Sequence, residues 1–361
     1  MVERDRKELK QKEKAARTPL VIWFEALGRG DVSLVGGKNA SLGEMVCHLT
    51  NQNVRIPAGF ATTAEAYWRF VDSNMLRETI SGLLADLESG KAPLAEVGSS
   101  IRRAFLRGSW PPGLPEAISS SYQELCRRSG KINADVAVRS SATAEDLPDA
   151  SFAGQQESYL NIRGTTALLD ACRRCYASLF TDRAISYRQA KGFDHLKVAL
   201  SIGIQNMVRS DLGGAGVMFS VDTETGFDKV VVINASWGLG ENVVQGAVDP
   251  DEYQVYKPLL SDPLLIPIIE KNIGAKAQKM IYASDGNYST RNVPTSKAER
   301  SAFVLGDGEI ITLAHWACAI ESHYGCPMDM EWARDGESGE LFIVQARPET
   351  VQSRRQAGAL K

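Results

Sequence analysis

Two carboxylates, an amide and an arginine crowd into one well-patterned stretch of the chain, Met328 to Thr350. Across Met328–Ala333 the apolar Met328, Met330 and Trp332 alternate with Asp329, Glu331 and Ala333. That alternation belongs to a strand and sets Asp329 and Glu331 on one face. Asp335-Gly336 and Gly339 supply turn residues. Leu341–Ala346 reads as the return strand, with Leu341, Ile343, Gln345 and Arg347 projecting to one side. Folded back as a hairpin, the two strands bring Glu331, Gln345 and Arg347 together over a buried sheet, with Asp329 near. Carboxylate and amide oxygens are hard ligands suited to Mg²⁺. An arginine beside them suits a phosphate. A solvated surface hairpin has the same residue pattern, so the segment alone leaves both readings open.

Other segments must position partners for this chemistry. In Val35–Met45, VGGKNASLGEM, Gly36-Gly37 makes a turn, and Leu42, Met45, Val46 and Leu49 then repeat at helical spacing. Lys38 therefore stands at the junction of a glycine turn and a helix start, a place that favours anions. The stretch lacks GxxxxGK[ST] and is not a Walker A loop. In Val136–Ile162 a short apolar strand ends in Arg139. A loop of small residues follows, through Ser151, Ala153, Gly154 and Gln155, and then a strand over Tyr159–Ile162. Small residues with free amides beside an arginine form a phosphate lid in outline. Lys197–Val208 reads as a strand ending in Gln205-Asn206-Met207-Val208, Asp211–Gly216 as a glycine turn and Val217–Val221 as its return. Val230–Ile233 is a further strand, and Trp237-Gly238-Leu239-Gly240 after it leaves Glu241 where a ribose or a metal can be held. Residues 71–130 are helical, broken at Lys91–Pro93 and Ser109–Pro115, and Glu309–Tyr324 is an amphipathic helix.

At 361 residues, two lobes are expected. Hydrophobic residues at 43%, charged residues at 24% and a net charge of -3 are ordinary for a soluble protein and give no footprint for nucleic acid. No apolar run approaches the ~20 residues of a membrane helix, and the charged first residues lack a signal core, so the cytoplasm is the expected compartment. Residues 1–17 read as a solvated tail. Cys172 and Cys175 form the single CxxC, inside a helical pattern and with no second pair or histidines to complete a zinc site.

VGGKNASLGEM, VRSSATAEDLPDASFAGQQESYLN, MVRSDLGGAGVMFSVDTETGFD, SWGLGENVVQGAVDPDEY and MDMEWARDGESGELFIVQARPETV, in this order, resemble the ATP-binding domain of the pyruvate phosphate dikinase family, most closely its phosphoenolpyruvate synthase type. The likeness runs from about Pro19 to Val351. It implies an α+β, ATP-grasp-like fold of two lobes with ATP between them, divided as 18–195 and 196–351, with 352–361 a linker. It also implies roles. Lys38 and Arg139 contact phosphates, and Gly154 with Gln155 covers them. Gln205 to Met207 forms the adenine-side hinge, and Glu241 takes the ribose. Asp329, Glu331 and Gln345 bind Mg²⁺, and Arg347 reaches a phosphate.

In enzymes of this family a histidine on a swivelling domain, in a Thr-Cys-His-Ala-like motif, carries the phosphoryl group to a pyruvate-binding barrel. His48, His195, His315 and His323 lie in other contexts. A fragment of a longer enzyme and a stand-alone ATP half with those partners in trans are both compatible with the sequence. So are a rifampin-type antibiotic phosphotransferase and a nucleotide-binding module without turnover.

Overall fold

The computed structural model describes residues 18–143, 157–283 and 290–349. The tail at 1–17, the lid residues Gly154 and Gln155, and the linker at 352–361 lie outside the described residues. Contacts divide the chain into two units. The first takes the described residues up to Ala40 together with Ala58–Asn206, and the second takes Ser41–Pro57 with the described residues from Met207 onward. The architecture is mixed α+β.

The first unit contains β1 (Val21–Trp23), the start of α1 (Val32–Leu49), β2 (Gly59–Thr62), α2 (Ala64–Ser73), α3 (Leu76–Glu88), α4 (Leu94–Arg107), α5 (Leu114–Arg128), β3 (Val136–Ala142), β4 (Ser158–Ile162), α6 (Thr165–Ser178), α7 (Asp182–Lys191) and β5 (Leu200–Asn206). Apolar residues at helical spacing bury one stripe of each helix, as with Val97, Ile101 and Phe105 of α4. Thr63 caps α2, its hydroxyl accepting from Ala66 N at 3.3 Å. Phe70, Phe105, Tyr176 and Phe180 form an aromatic centre, with Phe70 and Tyr176 ring centroids 5.4 Å apart. Cys172 and Cys175 are buried in α6, and burial pushes both thiols up.

These helices back a five-stranded antiparallel sheet of order β1-β2-β5-β3-β4. Two expectations are corrected here. The chain leaves the first unit after Asn206, not at 195, because β5 pairs with both β2 and β3. Arg139 does not end its strand: β3 continues through Ser140 and Ser141 to Ala142, with all three paired to β5.

The second unit adds β6 (Gly214–Phe219), β7 (Val230–Trp237), α8 (Glu241–Val244), β8 (Asp251–Tyr256), β9 (Ile268–Asn272), β10 (Gln278–Tyr282), β11 (Thr290–Pro294), α9 (Lys297–Ser301), α10 (Asp307–Tyr324), β12 (Met328–Arg334) and β13 (Leu341–Pro348). Six strands form an antiparallel sheet, β13-β12-β6-β7-β8-β9, and β10 pairs with β11 separately. Ile310, Leu313, Ala317 and Ile320 of α10 are buried, as are Met218, Ile233, Met328, Met330 and Trp332 on the sheet face they cover. The opposite face, carrying Val217, Asn234, Asp329 and Glu331, is partly buried. Among the described residues no helix is long and apolar enough to cross a membrane.

Candidate functional site

In the first unit the glycine junction is a kink inside α1. Gly36 has φ 75° and ψ 166°, so the helix restarts after it, and Lys38 stands in the first turn of the new segment. A Cβ at Gly36 would lie 2.3 Å from Ser141 Oγ and 2.5 Å from Ser141 O. Glycine is required both by the backbone angle and by this approach to β3. Asn39 and Lys38 fasten the junction. Asn39 N donates to Ser141 Oγ at 3.4 Å, and Asn39 Nδ2 donates to Ser201 Oγ at 2.9 Å and to Val35 O at 3.1 Å. Lys38 Nζ donates to Ser140 O at 3.5 Å. Cross-strand partners share a face, and β3–β5 pairs Ala137 with Gln205, Arg139 with Gly203, and Ser141 with Ser201. Arg139 and Gln205 therefore lie on the face over which the Lys38 junction is fastened. Three of the expected site residues are brought to one side of one sheet. Asn39, which ties the junction to both strands, was not singled out by sequence; its neighbour Lys38 drew the attention.

In the second unit the hairpin forms as the alternation requires, with one correction. Asp329 pairs with Arg347, Met330 with Ala346 and Glu331 with Gln345, but Trp332 pairs with Ile343. Val344 is an extra residue, a β-bulge. The bulge changes which residues share a face: Leu341 and Ile343 go to the buried side with Trp332, while Gln345 and Arg347 join Asp329 and Glu331 on the opposite side. Leu341, Ile343, Gln345 and Arg347 do not all project together. The four polar residues nevertheless converge. Arg347 donates through Nε and Nη2 to Asp329 Oδ2, both at 2.8 Å.

Burial holds the Asp329 carboxyl above the usual carboxylate range. Arg347 opposes this, while Glu331 and Glu349 reinforce it as like charges. Glu349 is 5% exposed and lies two residues past Arg347. Sequence reasoning missed it, although Gln345, Arg347 and Glu349 continue the same alternation. This donor set fits a hard divalent cation: two carboxylates and an amide oxygen, with a crowded negative charge that a cation would relieve. Among the described residues, no three His, Cys, Asp or Glu side chains close into a metal cage. The set is an open one, suited to an ion that keeps water and phosphate oxygens as its remaining ligands, as Mg²⁺ does.

Glu241 opens α8, beyond the end of β7, and β6 separates that strand from the hairpin. It stands apart from the acidic pair. Gly238 before it has φ 84°, and Leu239 N donates to Met280 O at 2.9 Å, which fixes this strand end against β10. Met207 follows β5 and belongs to the second unit, while Gln205 belongs to the first. His323 Nε2 lies 2.7 Å from Glu44 Oε1, and Ser41 Oγ donates to Ala346 O at 2.8 Å, so residues 41–57 brace β13 from within the second unit.

These features belong to a domain of a known family. A family model, pyruvate phosphate dikinase AMP/ATP-binding domain, matches residues 32–361, and the chain belongs to that family. Its individual relatives are consistent. It is 54% identical over 355 residues to a phosphoenolpyruvate synthase of Synechocystis, covering 95% of this chain and 43% of that protein. The corresponding figures are 52% over 341 residues, 92% and 42%, for the Helicobacter pylori phosphoenolpyruvate synthase. For that of Escherichia coli they are 51% over 345 residues, 94% and 43%. The chain spans less than half the length of these curated relatives.

Proposed function

We propose that this chain binds Mg-ATP and passes a phosphoryl group to a histidine on a separate swivelling domain, as the ATP-handling part of a phosphoenolpyruvate synthase-type dikinase. The overall reaction converts pyruvate, ATP and water into phosphoenolpyruvate, AMP and phosphate, so ATP gives up two phosphoryl groups: one travels through the histidine to pyruvate at a pyruvate-binding barrel, the other is taken by water as phosphate, and AMP leaves. The observation that carries the reading is the register of the β12–β13 hairpin, which sets Asp329, Glu331, Gln345 and Arg347 on one face, with Gln345 buried and the other three partly buried. The two units are read as the lobes of an ATP-grasp-like fold.

Asp329, Glu331 and Gln345 would hold Mg²⁺, which neutralises phosphate oxygens when bound. The chain's own residues position and stabilise. Arg347, oriented by Asp329, and Arg139, fixed in mid-strand, present planar forks suited to phosphate oxygens. Lys38 adds a compact positive charge at a helix start. Gln205 and Met207 would line the base, Glu241 would take the ribose, and Gly154 and Gln155 would cover the phosphates. Phosphoryl transfer asks mainly for such positioning and charge neutralisation. Calorimetric titration of the chain with ATP, with and without Mg²⁺, tests the reading. One site that tightens with Mg²⁺ is expected, and no ATP binding under either condition would refute it.

A further inference from the structure

In the sequence Met207-Val208 reads as a strand end, Asp211–Gly216 as a glycine turn and Arg334–Glu340 as the turn joining β12 to β13. In the structure the segment leaving β5, Met207–Gly213, and the β12–β13 turn are bonded together, once through a side-chain carboxylate and once backbone to backbone. Arg209 N donates to Asp335 Oδ2 at 3.0 Å, and Gly336 N donates to Arg209 O at 3.0 Å. Both main-chain groups of Arg209 are thus taken by the turn. Asp335 is itself held: its Oδ1 accepts from Glu337 N at 2.8 Å and from Ser338 N at 2.9 Å, and its N donates to Glu340 O at 2.8 Å. Two glycines permit the approach. A Cβ at Gly336 would lie 2.3 Å from the Leu212 carbonyl carbon, and one at Gly213 would lie 2.4 Å from Arg334 O. The Arg209 guanidinium closes the loop, with Nε and Nη2 on the two Asp211 oxygens at 2.8 and 3.0 Å and Nη1 on Glu337 Oε1 at 2.9 Å.

A second attachment lies one residue earlier. Val208 is buried in a small apolar patch with Ala215 and Ala333, against Phe342 and Val344. Ala333 stands two residues past Glu331 on β12, and Val344 is the bulge residue beside Gln345. Val208 therefore sits on the hairpin face that carries the candidate metal ligands. We infer that this hairpin is a positioning device for the nucleotide: its Asp335-Gly336 turn clamps Arg209 and its strands seat Val208, which holds Met207 in fixed relation to the candidate phosphate- and metal-binding face of the same hairpin. Asp335 is a positioning residue, since it acts through the segment it holds. Ordering that segment in advance removes an entropy cost from binding the base. The inference rests on the reading of the chain as ATP-binding, with Met207 beside the base.

The test compares two probes in calorimetry, ATP and inorganic tripolyphosphate, each with Mg²⁺. Tripolyphosphate keeps the phosphate chain and lacks the base. In Asp335→Ala the loss of the Arg209 contact should weaken ATP about tenfold while tripolyphosphate binds as to the wild type. Asp335→Asn keeps a single acceptor oxygen, enough for Arg209 N or for the turn amides of Glu337 and Ser338 but not both, and should fall between, with a thermal melt confirming that it folds. Equal weakening of both probes in the two variants would make Asp335 merely structural, and unchanged binding of both would remove its role; either overturns the inference. A wild-type chain that binds neither probe fails at the earlier step, the ATP-binding reading itself.

Discussion

Lys38 in the first unit and Asp329 in the second are both charged candidate residues, yet the chain fixes their surroundings by different means. Around Lys38 the first unit uses backbone geometry. A glycine at φ 75° kinks α1 against β3, and Asn39 bonds to serines on two strands. Lys38 itself makes a long 3.5 Å contact with a carbonyl. Around Asp329 the second unit uses charge. Arg347 lies at hydrogen-bond distance, and Glu331 and Glu349 crowd the same face. The first half should be sensitive to shape and the second to charge and metal.

The largest effect is expected from Gly36→Ala. It places a side chain in a glycine-only backbone region and against Ser141, and should lower unfolding free energy by about 3 kcal/mol or more. A urea melt measures it; stability within about 0.5 kcal/mol of wild type would show that the junction relaxes and that shape does not govern this half. Glu331→Ala should do the reverse. Its thermal transition should hold, because the residue is only partly buried, while Mg²⁺ no longer strengthens ATP binding. Retained Mg²⁺ dependence would break the metal assignment, and a collapsed melt would make Glu331 structural.

The smallest expected effect is a pH slope. The folded Asp329 carboxyl is held above its unfolded value, mainly by burial. Between those values the folded chain keeps a proton that the unfolded chain has released, so this residue's contribution to stability falls as pH rises through that window. Asp329→Asn should remove that part of the slope in urea melts run from about pH 3 to pH 7. An unchanged slope would assign it to other groups.

The strand alternation of Met328–Ala333 and the turn at Asp335-Gly336 announce the hairpin, and helical spacing announces α4 and α10. The bulge at Val344 is hidden because Leu341–Val344 is apolar at every position, so alternation cannot locate the slip that reverses the faces. β3 looks finished at Arg139 because Ser140 and Ser141 carry loop propensity; pairing with β5 and the Asn39 contact override it. β5 reads as the opening of a second lobe because its partners β2 and β3 are distant in sequence. Lys276 and Asp251 look like surface charges, yet both are fully buried and bonded to each other, and no periodicity marks a buried ion pair.

Single-turnover transfer tests the central claim most directly. Labelled ATP and Mg²⁺ are mixed with the chain and a supplied histidine-carrier domain, and label is followed on the carrier. Wild type should give labelled phosphohistidine, and Arg139→Lys a transfer rate that falls further than ATP affinity, since a bidentate contact that tightens with developing charge is lost. ATP binding with no label reaching the carrier would contradict the assignment of this chain as a phosphotransfer domain.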